Sequence, residues 1–216
     1  MTVSKQKEVF LSSEGDAWFD RNHQAIQNQE FGIEDPIIAA IQRCLPGVSD
    51  DTTRLLEVGC VEGRRLQWIS KNLGIRCYGI EPSAKAVALA QKLGVEAIQG
   101  TADRLPDADE TFDFLVFGFC LYLCDRDDLF RIACEANRVL KPNAWLIIHD
   151  FYANAPMQRD YHHPTGLYSF KMDYRTLFDW HPAYTCFFHE LKHHATNELT
   201  DDPNEWVATS ILRKLT

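Results

Sequence analysis

The stretch LLEVGCVEGRRL, residues 55–66, joins an apolar strand signal to a cationic helix signal through a turn that contains two glycines. Glycines after a strand let the backbone approach a ligand closely, and the helix that follows offers free N–H groups. Only Gly59 and Gly63 are present, so the turn lacks the G-x-G-x-x-G spacing of a dinucleotide site. It therefore predicts a binding turn for a ligand of another kind.

Strand and helix signals alternate outward from this turn. Short apolar runs at TRLLEVG, RCYGI, EAIQG, FDFLVFGF and AWLIIHDF are typical of strands, and the stretches between them are typical of amphipathic helices. Ser83 is a suitable helix N-cap, Asp127 and Asp128 suit the first turn of a later helix, and Pro142 is expected to end that helix. This alternation predicts a parallel sheet covered on both faces, with ligands beyond the carboxyl ends of its strands.

The length of 216 residues predicts one domain. Within it we distinguish an N-terminal helical lid region at 1–50, a core at 51–151, a loop and helix insertion at 152–183 and a C-terminal strand pair at 184–216. The pair, YTCFFHEL and EWVATSILRKL, predicts an antiparallel hairpin at the sheet.

The composition excludes several classes of partner. The formal net charge is −9 and no basic cluster is extensive, so nucleic acid is not expected to bind. No segment is long and apolar enough to suggest a membrane span, and the first residues do not resemble a signal peptide. The seven cysteines form no CxxC pair and are interpreted as reduced thiols. These features predict a cytoplasmic protein, acting as a monomer or homodimer.

Three carboxylates lie near the glycine turn. Glu57 and Glu62 flank it, and Glu81 closes the second strand 22 residues beyond Gly59. A pyrophosphate would be repelled by the first two carboxylates, which suit a positively charged ligand better. An acidic side chain at the end of the second strand can accept both ribose hydroxyls of an adenosine. A cationic amino acid, a ribose and no phosphate cradle together indicate S-adenosylmethionine.

Four segments in order resemble the class I S-adenosylmethionine-dependent methyltransferases: LLEVGCVEG, YGIEPS, GTADRLPDADETFDFLVF and EANRVLKPNAWLIIHDF. The resemblance implies an α/β fold with a Rossmann-like, doubly wound sheet of seven strands, mostly parallel with an antiparallel last strand. It also implies S-adenosyl-L-methionine as cofactor and S-adenosyl-L-homocysteine as product. The cofactor-binding residues that it implies are Glu57, Gly59, Cys60, Gly63, Glu81, Ser83, Thr101, Ala102, Phe117 and Gly118, with Tyr122 at the same edge.

Two positions depart from the family pattern. Val61 stands where the family has the middle glycine, and a valine does not readily adopt positive φ. The turn is therefore expected either to run through ordinary backbone angles or to carry strain. Thr101 stands where the family often has Asp, so adenine recognition there is expected to rest on backbone groups.

The acceptor site is expected in the segments that reach the carboxyl edge of the sheet. Residues 152–172 lack a helix or strand period and are rich in polar and aromatic side chains, which predicts a lid over the acceptor or, alternatively, a subunit contact. A general base is sought among His149, Asp150, His162 and His163, although a strand histidine is as often a core residue. The candidate acceptor contacts are Trp18, Phe19, Tyr168 and Lys171, the last suited to a phosphate or carboxylate.

The pattern HELKH, from His189 to His193, matches the zinc-protease motif H-E-x-x-H. That chemistry needs both histidines on one face of a helix, but the preceding residues favour a strand, in which the two would lie about 13 Å apart. No metal site is therefore predicted.

Two classes of function agree with these observations. The first is a methyltransferase for a small acceptor, with a sugar, nucleotide-sugar or other polar metabolite preferred and a protein side chain as the alternative. The second is a catalytically inert module of the same fold that binds the cofactor or a partner.

Overall fold

The computed structural model describes residues 5–45 and 52–215. The predicted boundary between residues 50 and 51 and the two chain ends lie outside these described residues. Within them, no helix is both long and apolar enough to cross a membrane.

A seven-stranded sheet forms the centre of the molecule. Its strands are β1 Arg54–Val58, β2 Arg76–Glu81, β3 Glu96–Gln99, β4 Phe112–Gly118, β5 Leu140–Phe151, β8 Tyr184–His193 and β9 Trp206–Lys214. Their spatial order is β3-β2-β1-β4-β5-β9-β8. The last strand, β9, runs antiparallel to both of its neighbours, whereas β1 to β5 pair in parallel. The predicted fold class is confirmed.

Seven α-helices accompany the sheet in the described residues. They are α1 Gln6–Val9, α2 Gly15–Gln27, α3 Pro36–Cys44, α4 Arg64–Leu73, α5 Ala84–Lys92, α6 Leu129–Val139 and α7 Thr176–Asp179, and a π-helix, Phe10–Glu14, joins α1 to α2. Ser83 caps α5 as predicted, because its Oγ accepts the N–H of Ala86 at 3.1 Å. Gly74 ends α4 in the left-handed region, at φ 71°.

Apolar side chains fill both faces of the sheet. On one face, α6 and α7 pack over Leu56, Phe117 and Leu146. On the other face, α3, α4 and α5 pack over Leu55 and Val116, among others. Helices therefore cover most of both faces, and the carboxyl ends of the central strands are left open to a ligand.

Two segments differ from the sequence prediction. Pro142 does not end α6, which already stops at Val139, but lies near the start of β5, where a register irregularity accommodates it. The insertion at 152–183 is not a plain loop, since Met157–Asp160 (β6) and Tyr168–Lys171 (β7) pair as an antiparallel hairpin. Its strands carry no hydrophobic alternation because β6 is exposed along its whole length.

Candidate functional site

The glycine turn between β1 and α4 is held against the end of β2. Gly59 and Gly63 adopt φ values of 81° and 71°, which glycine tolerates without cost. The N–H of Gly59 donates to the carbonyl of Ile80 at 2.8 Å, and the N–H of Val61 donates to Glu81 Oε2 at 3.0 Å. The turn and the end of β2 therefore form one rigid unit.

Two bulky residues at this place have positive φ. Val61 and Phe119 both have φ 50°, although neither is a glycine. Of the two alternatives for Val61, the structure therefore shows the strained one. Such conformations cost about 1–3 kcal/mol each and cluster at functional sites.

We expect Val61→Gly to stabilise the protein, since glycine adopts this φ without the left-handed penalty. The gain is partly offset by the greater freedom of glycine in the unfolded chain. The net increase in the free energy of unfolding is about 1 kcal/mol, which raises Tm by about 2–4 °C. Thermal unfolding of Val61→Gly and Val61→Ala measures the effect, because alanine shortens the side chain but keeps the strain. Equal Tm values for the two variants would contradict this explanation.

A cavity of about 640 Å³ opens at the carboxyl ends of β1, β2, β4 and β5, next to this turn. Its volume lies within the range typical of small-molecule sites. Val61 and Phe119 line it, together with residues of the N-terminal helices, the loop before α3 and the turn between β8 and β9.

Glu81 presents a carboxylate at the end of β2. It is buried, lines the cavity, and accepts the N–H groups of Val61 and Ser83, each at 3.0 Å. Burial raises the pKa of Glu81 to about 7, an effect that the two N–H groups partly oppose. The carboxylate is thus fixed in position and gains its charge near neutral pH.

Glu57 belongs to a buried ion network instead of the cavity wall. Its Oε1 pairs with Nη1 of Arg65, whose Nε donates to Asp35 Oδ2 at 3.2 Å. Asp35 in turn caps α3 by accepting the N–H groups of Ile37 and Ile38. The positive charge expected beside Glu57 is therefore supplied by the protein.

The structure brings most of the implied cofactor residues to the cavity. Those that line it are Gly59, Cys60, Gly63, Glu81, Thr101, Ala102, Gly118 and Tyr122. Glu57, Ser83 and Phe117 do not line it. Ser83 is fully buried as the cap of α5 and donates to Asp16, and the side chain of Phe117 packs in the core on one face of the sheet.

The N-terminal helices cover one end of this cavity. Lys7 and Trp18 line it, and Lys7 forms ion pairs with Asp103 and Asp128, which also line it. Phe19 does not reach the cavity, because it is buried against His23, with 4.8 Å between the ring centroids. The predicted lid region thus contributes Trp18 to the site but not Phe19.

The hairpin at 152–172 lies outside the cavity, contrary to the expected role as an acceptor lid. His162 and His163 are exposed on its loop, and neither they nor Tyr168 and Lys171 line the cavity. Lys171 donates to the carbonyl of Asn204 at 2.5 Å.

The hairpin instead supports the N-terminal helices. The backbone of Tyr168 exchanges two hydrogen bonds with the side chain of Gln6, and the hydroxyl of Tyr161 donates to Glu14 at 3.0 Å. The polar and aromatic composition of the segment therefore serves contacts within the protein.

His149 and Asp150 point to different surroundings, as successive strand residues must. His149 lines the cavity, and its Nδ1 lies 2.8 Å from the hydroxyl of Thr209. Burial lowers the pKa of His149 to about 4, so its ring is neutral at pH 7. Asp150 does not line the cavity, and it accepts the N–H groups of Leu121 and Phe151 at 2.8 Å.

Two parts of the site were missed in the sequence. The segment from Lys192 to Asn197, including His193 and His194, lines the cavity beside Thr209. Phe31 lines it from the loop before α3. The motif HELKH lies in strand β8, as predicted. The sequence signal for this wall was His194, the histidine that directly follows the motif.

Comparisons with known proteins agree with this geometry. Residues 56–148 match a family model described as a methyltransferase domain. The chain is 29% identical over 137 residues to an uncharacterised protein of Methanocaldococcus jannaschii, covering 63% of this chain and 57% of that protein. It is 31% identical over 108 residues to the uncharacterised methyltransferase YcgJ of Bacillus subtilis, covering 46% and 41% of the two chains. The chain thus spans about half the length of the curated relatives that it matches.

A solved structure extends the similarity of fold over nearly the whole chain. The 1,6-didemethyltoxoflavin-N1-methyltransferase of Burkholderia thailandensis superposes with a TM-score of 0.69 and 14% identity, covering 97% of this chain and 89% of that one. That structure contains its substrate and S-adenosylhomocysteine.

Proposed function

We propose that this chain, whose residues 56–148 match a methyltransferase domain, is a class I S-adenosylmethionine-dependent methyltransferase that transfers a methyl group from S-adenosylmethionine to a small-molecule acceptor. The observation that carries the proposal is the junction of the glycine turn, the Glu81 carboxylate and the cavity at one edge of the sheet. The relatives named as methyltransferases support the activity.

The residues at this edge fit the proposed cofactor. We expect Glu81 to accept the two ribose hydroxyls, and the backbone of the turn at Gly59 and Gly63 to approach the methionine part. A Cβ on Gly59 would lie 2.8 Å from Cys120 Cβ and 3.0 Å from Gly118 O, so this turn cannot carry a side chain without moving. Bound there, the cofactor would supply an activated methyl group and a leaving group.

The protein must also position the acceptor beside the activated methyl group. Holding a nucleophile in line with the methyl carbon can contribute about 7–11 kcal/mol at best. His149 is placed to hold a polar group of the acceptor, because its Nε2 bonds to none of the described residues. As a base it is weak, since burial lowers its pKa to about 4.

We expect Glu81→Gln to weaken S-adenosylmethionine binding by about 1–3 kcal/mol, because the ribose hydroxyls lose a charged acceptor. In the wild type, affinity should also fall as the pH drops from 8 to 6, since a pKa of about 7 means that the carboxyl becomes protonated in this range. Titration calorimetry at several pH values measures both effects.

Glu81→Gln also serves as the control for the pH dependence of binding. Protonation of the amino group of the ligand affects binding to both proteins equally, so a difference between their pH profiles is due to Glu81. The affinity of the variant should therefore depend less on pH than that of the wild type. Parallel pH profiles would remove Glu81 from the cofactor site.

A small acceptor is favoured because the N-terminal helices cover one end of the cavity, where Lys7 pairs with Asp103 and Asp128. A protein side chain would need a more open approach. Among the acceptors preferred from the sequence, a nucleotide-sugar loses its support, since Lys171 lies outside the cavity. A sugar or another polar metabolite remains. A cytoplasmic monomer or homodimer stays a prediction.

A turnover assay distinguishes the proposed enzyme from a catalytically inert module of the same fold. Production of S-adenosylhomocysteine with a panel of small acceptors would support the enzyme. Tight binding of S-adenosylmethionine with no turnover across a broad panel would favour the module.

A further inference from the structure

The wall of the cavity beyond His149 is aromatic. The ring of Phe119 lies 4.7 Å from the ring of His149 and 5.2 Å from that of Phe151, and Phe151 lies 6.0 Å from His194, all between centroids. These four rings line the cavity. Neighbouring rings are inclined by 83°, 59° and 53°, so the row offers both ring faces and ring edges, the two contacts that an aromatic molecule prefers.

The charges around the cavity disfavour an anion. Among the described residues that line it, eight are Asp or Glu and four are Lys or Arg. Three of the four cations are engaged in ion pairs at 3.2 Å or less: Lys7 with Asp128, Arg65 with Asp35 and Lys192 with Glu190. An acceptor with its own negative charge would meet repulsion that is only partly compensated.

The far end of the aromatic row carries an oriented histidine. Nδ1 of His194 lies 2.6 Å from Glu205 Oε2, and the backbone N–H of His194 donates to the Glu205 carbonyl at 2.9 Å. The carboxylate favours the tautomer with the proton on Nδ1, which leaves the lone pair on Nε2. No described residue bonds to that Nε2, and the side chain of His194, which is 43% exposed, lines the cavity.

His193 supports this arrangement and opposes a metal at the same place. Its ring stacks on His194 at 5.2 Å, and its Nδ1 accepts the N–H groups of Ala195 and Thr196. The neutral ring of His193 therefore carries its proton on Nε2, the nitrogen that faces Glu205 at 3.7 Å. A cation held by His193, His194 and Glu205 would have to displace that proton.

We propose that the acceptor is a planar aromatic molecule, neutral or cationic, whose hydroxyl or amine proton is taken by Nε2 of His194. This inference rests on the proposed methyl transfer. The acceptor heteroatom forms a bond to the methyl carbon, the carbon–sulfur bond breaks with its electron pair on sulfur, and the proton passes to His194. The products are the methylated acceptor and S-adenosylhomocysteine. Glu205 acts through His194 and is a positioning residue.

Four compounds test the acceptor class: 6-hydroxyquinoline, 6-aminoquinoline, quinoline-6-carboxylate and UDP-glucose. We expect S-adenosylhomocysteine to form with the hydroxyl or amine compound about tenfold or more faster than with either anion. Equal or faster turnover of an anion overturns the proposal, and so does no turnover of any compound by protein that binds S-adenosylmethionine. Absence of that binding would instead contradict the proposed function.

Variants test the role of the histidine with the preferred compound. His194→Gln should lower kcat by about a hundredfold or more and remove a limb of the pH–rate profile, with unchanged cofactor affinity. The control is His181→Gln, outside the cavity, which should keep the wild-type rate. Glu205→Ala should lower kcat and Glu205→Gln should restore part of it. A wild-type rate in His194→Gln overturns the assignment.

A measurement without turnover checks the tautomer. Long-range proton–nitrogen NMR spectra should show Nδ1 of His194 protonated in the wild type, with a shift toward the Nε2 tautomer in Glu205→Ala. An Nε2-protonated His194 in the wild type contradicts the proposal. Rates that collapse on chelation and return with added zinc would likewise overturn it in favour of a metal site.

Discussion

Gly59→Ala is expected to destabilise the protein by about 2–5 kcal/mol and to weaken S-adenosylmethionine binding about tenfold or more. The new Cβ would lie 2.8 Å from Cys120 Cβ and 3.0 Å from Gly118 O, at a φ of 81°. Overpacking costs about 1–3 kcal/mol, and the left-handed backbone adds about 1–2 kcal/mol. Moving the turn to relieve the contact would also separate it from Glu81. Denaturant unfolding and titration calorimetry measure the two effects.

Gly74→Ala is the matched control, because Gly74 has a similar φ of 71° but no atom within 4 Å of the added Cβ. It should lose only about 1 kcal/mol, the strain partly offset by the stiffer unfolded chain, and should bind S-adenosylmethionine normally. If both alanine variants lost the same stability and kept full affinity, the turn would not be the cofactor site that we propose.

Arg65→Met is expected to lower the free energy of unfolding by about 3–5 kcal/mol, because it leaves two buried carboxylates without their partner. Glu57 is 1% exposed and pairs with Nη1 of Arg65, while Asp35 accepts from Nε. Burial raises the pKa of Glu57, so the uncompensated carboxyl would be protonated more readily in the variant. Unfolding in urea at pH 7 provides the measurement.

Two further variants identify the cause of that loss. Lys71→Ala, on the exposed face of the same helix, should change stability by less than about 0.5 kcal/mol. Glu57→Gln combined with Arg65→Met should recover part of the loss, since the buried charge is removed with its partner. If the double variant were as unstable as the sum of both single changes, packing and not charge would explain the effect.

The fold was largely predictable because its signals are local. Apolar runs gave the strands of the sheet, Ser83 and Gly74 gave the ends of helices, and the turn at Gly59 gave the ligand edge. The hairpin formed by β6 and β7 was missed, since its exposed residues have no hydrophobic alternation to read. The polar composition of that segment was attributed to a ligand, whereas its side chains support the N-terminal helices.

The site was predicted best where it follows directly from a strand end. Gly59, Glu81 and Gly118 lie at the carboxyl ends of β1, β2 and β4, so a parallel sheet brings them together whatever the loops do. The positions of residues on connecting segments were predicted less well: Phe19 packs away from the cavity, and His162 lies on an exposed loop.

The sequence by itself therefore determined the sheet, the glycine turn and the edge at which we propose that the cofactor binds, because residues within a few positions of one another specify strands, caps and turns. Only the tertiary structure decided which charges meet. Arg65 neutralises Glu57, Lys7 pairs with Asp103, and Glu205 orients His194. Each of these pairs is fixed by the packing of whole elements against one another, and the strength of a charge pair depends on distance and burial, which the order of residues along the chain does not specify.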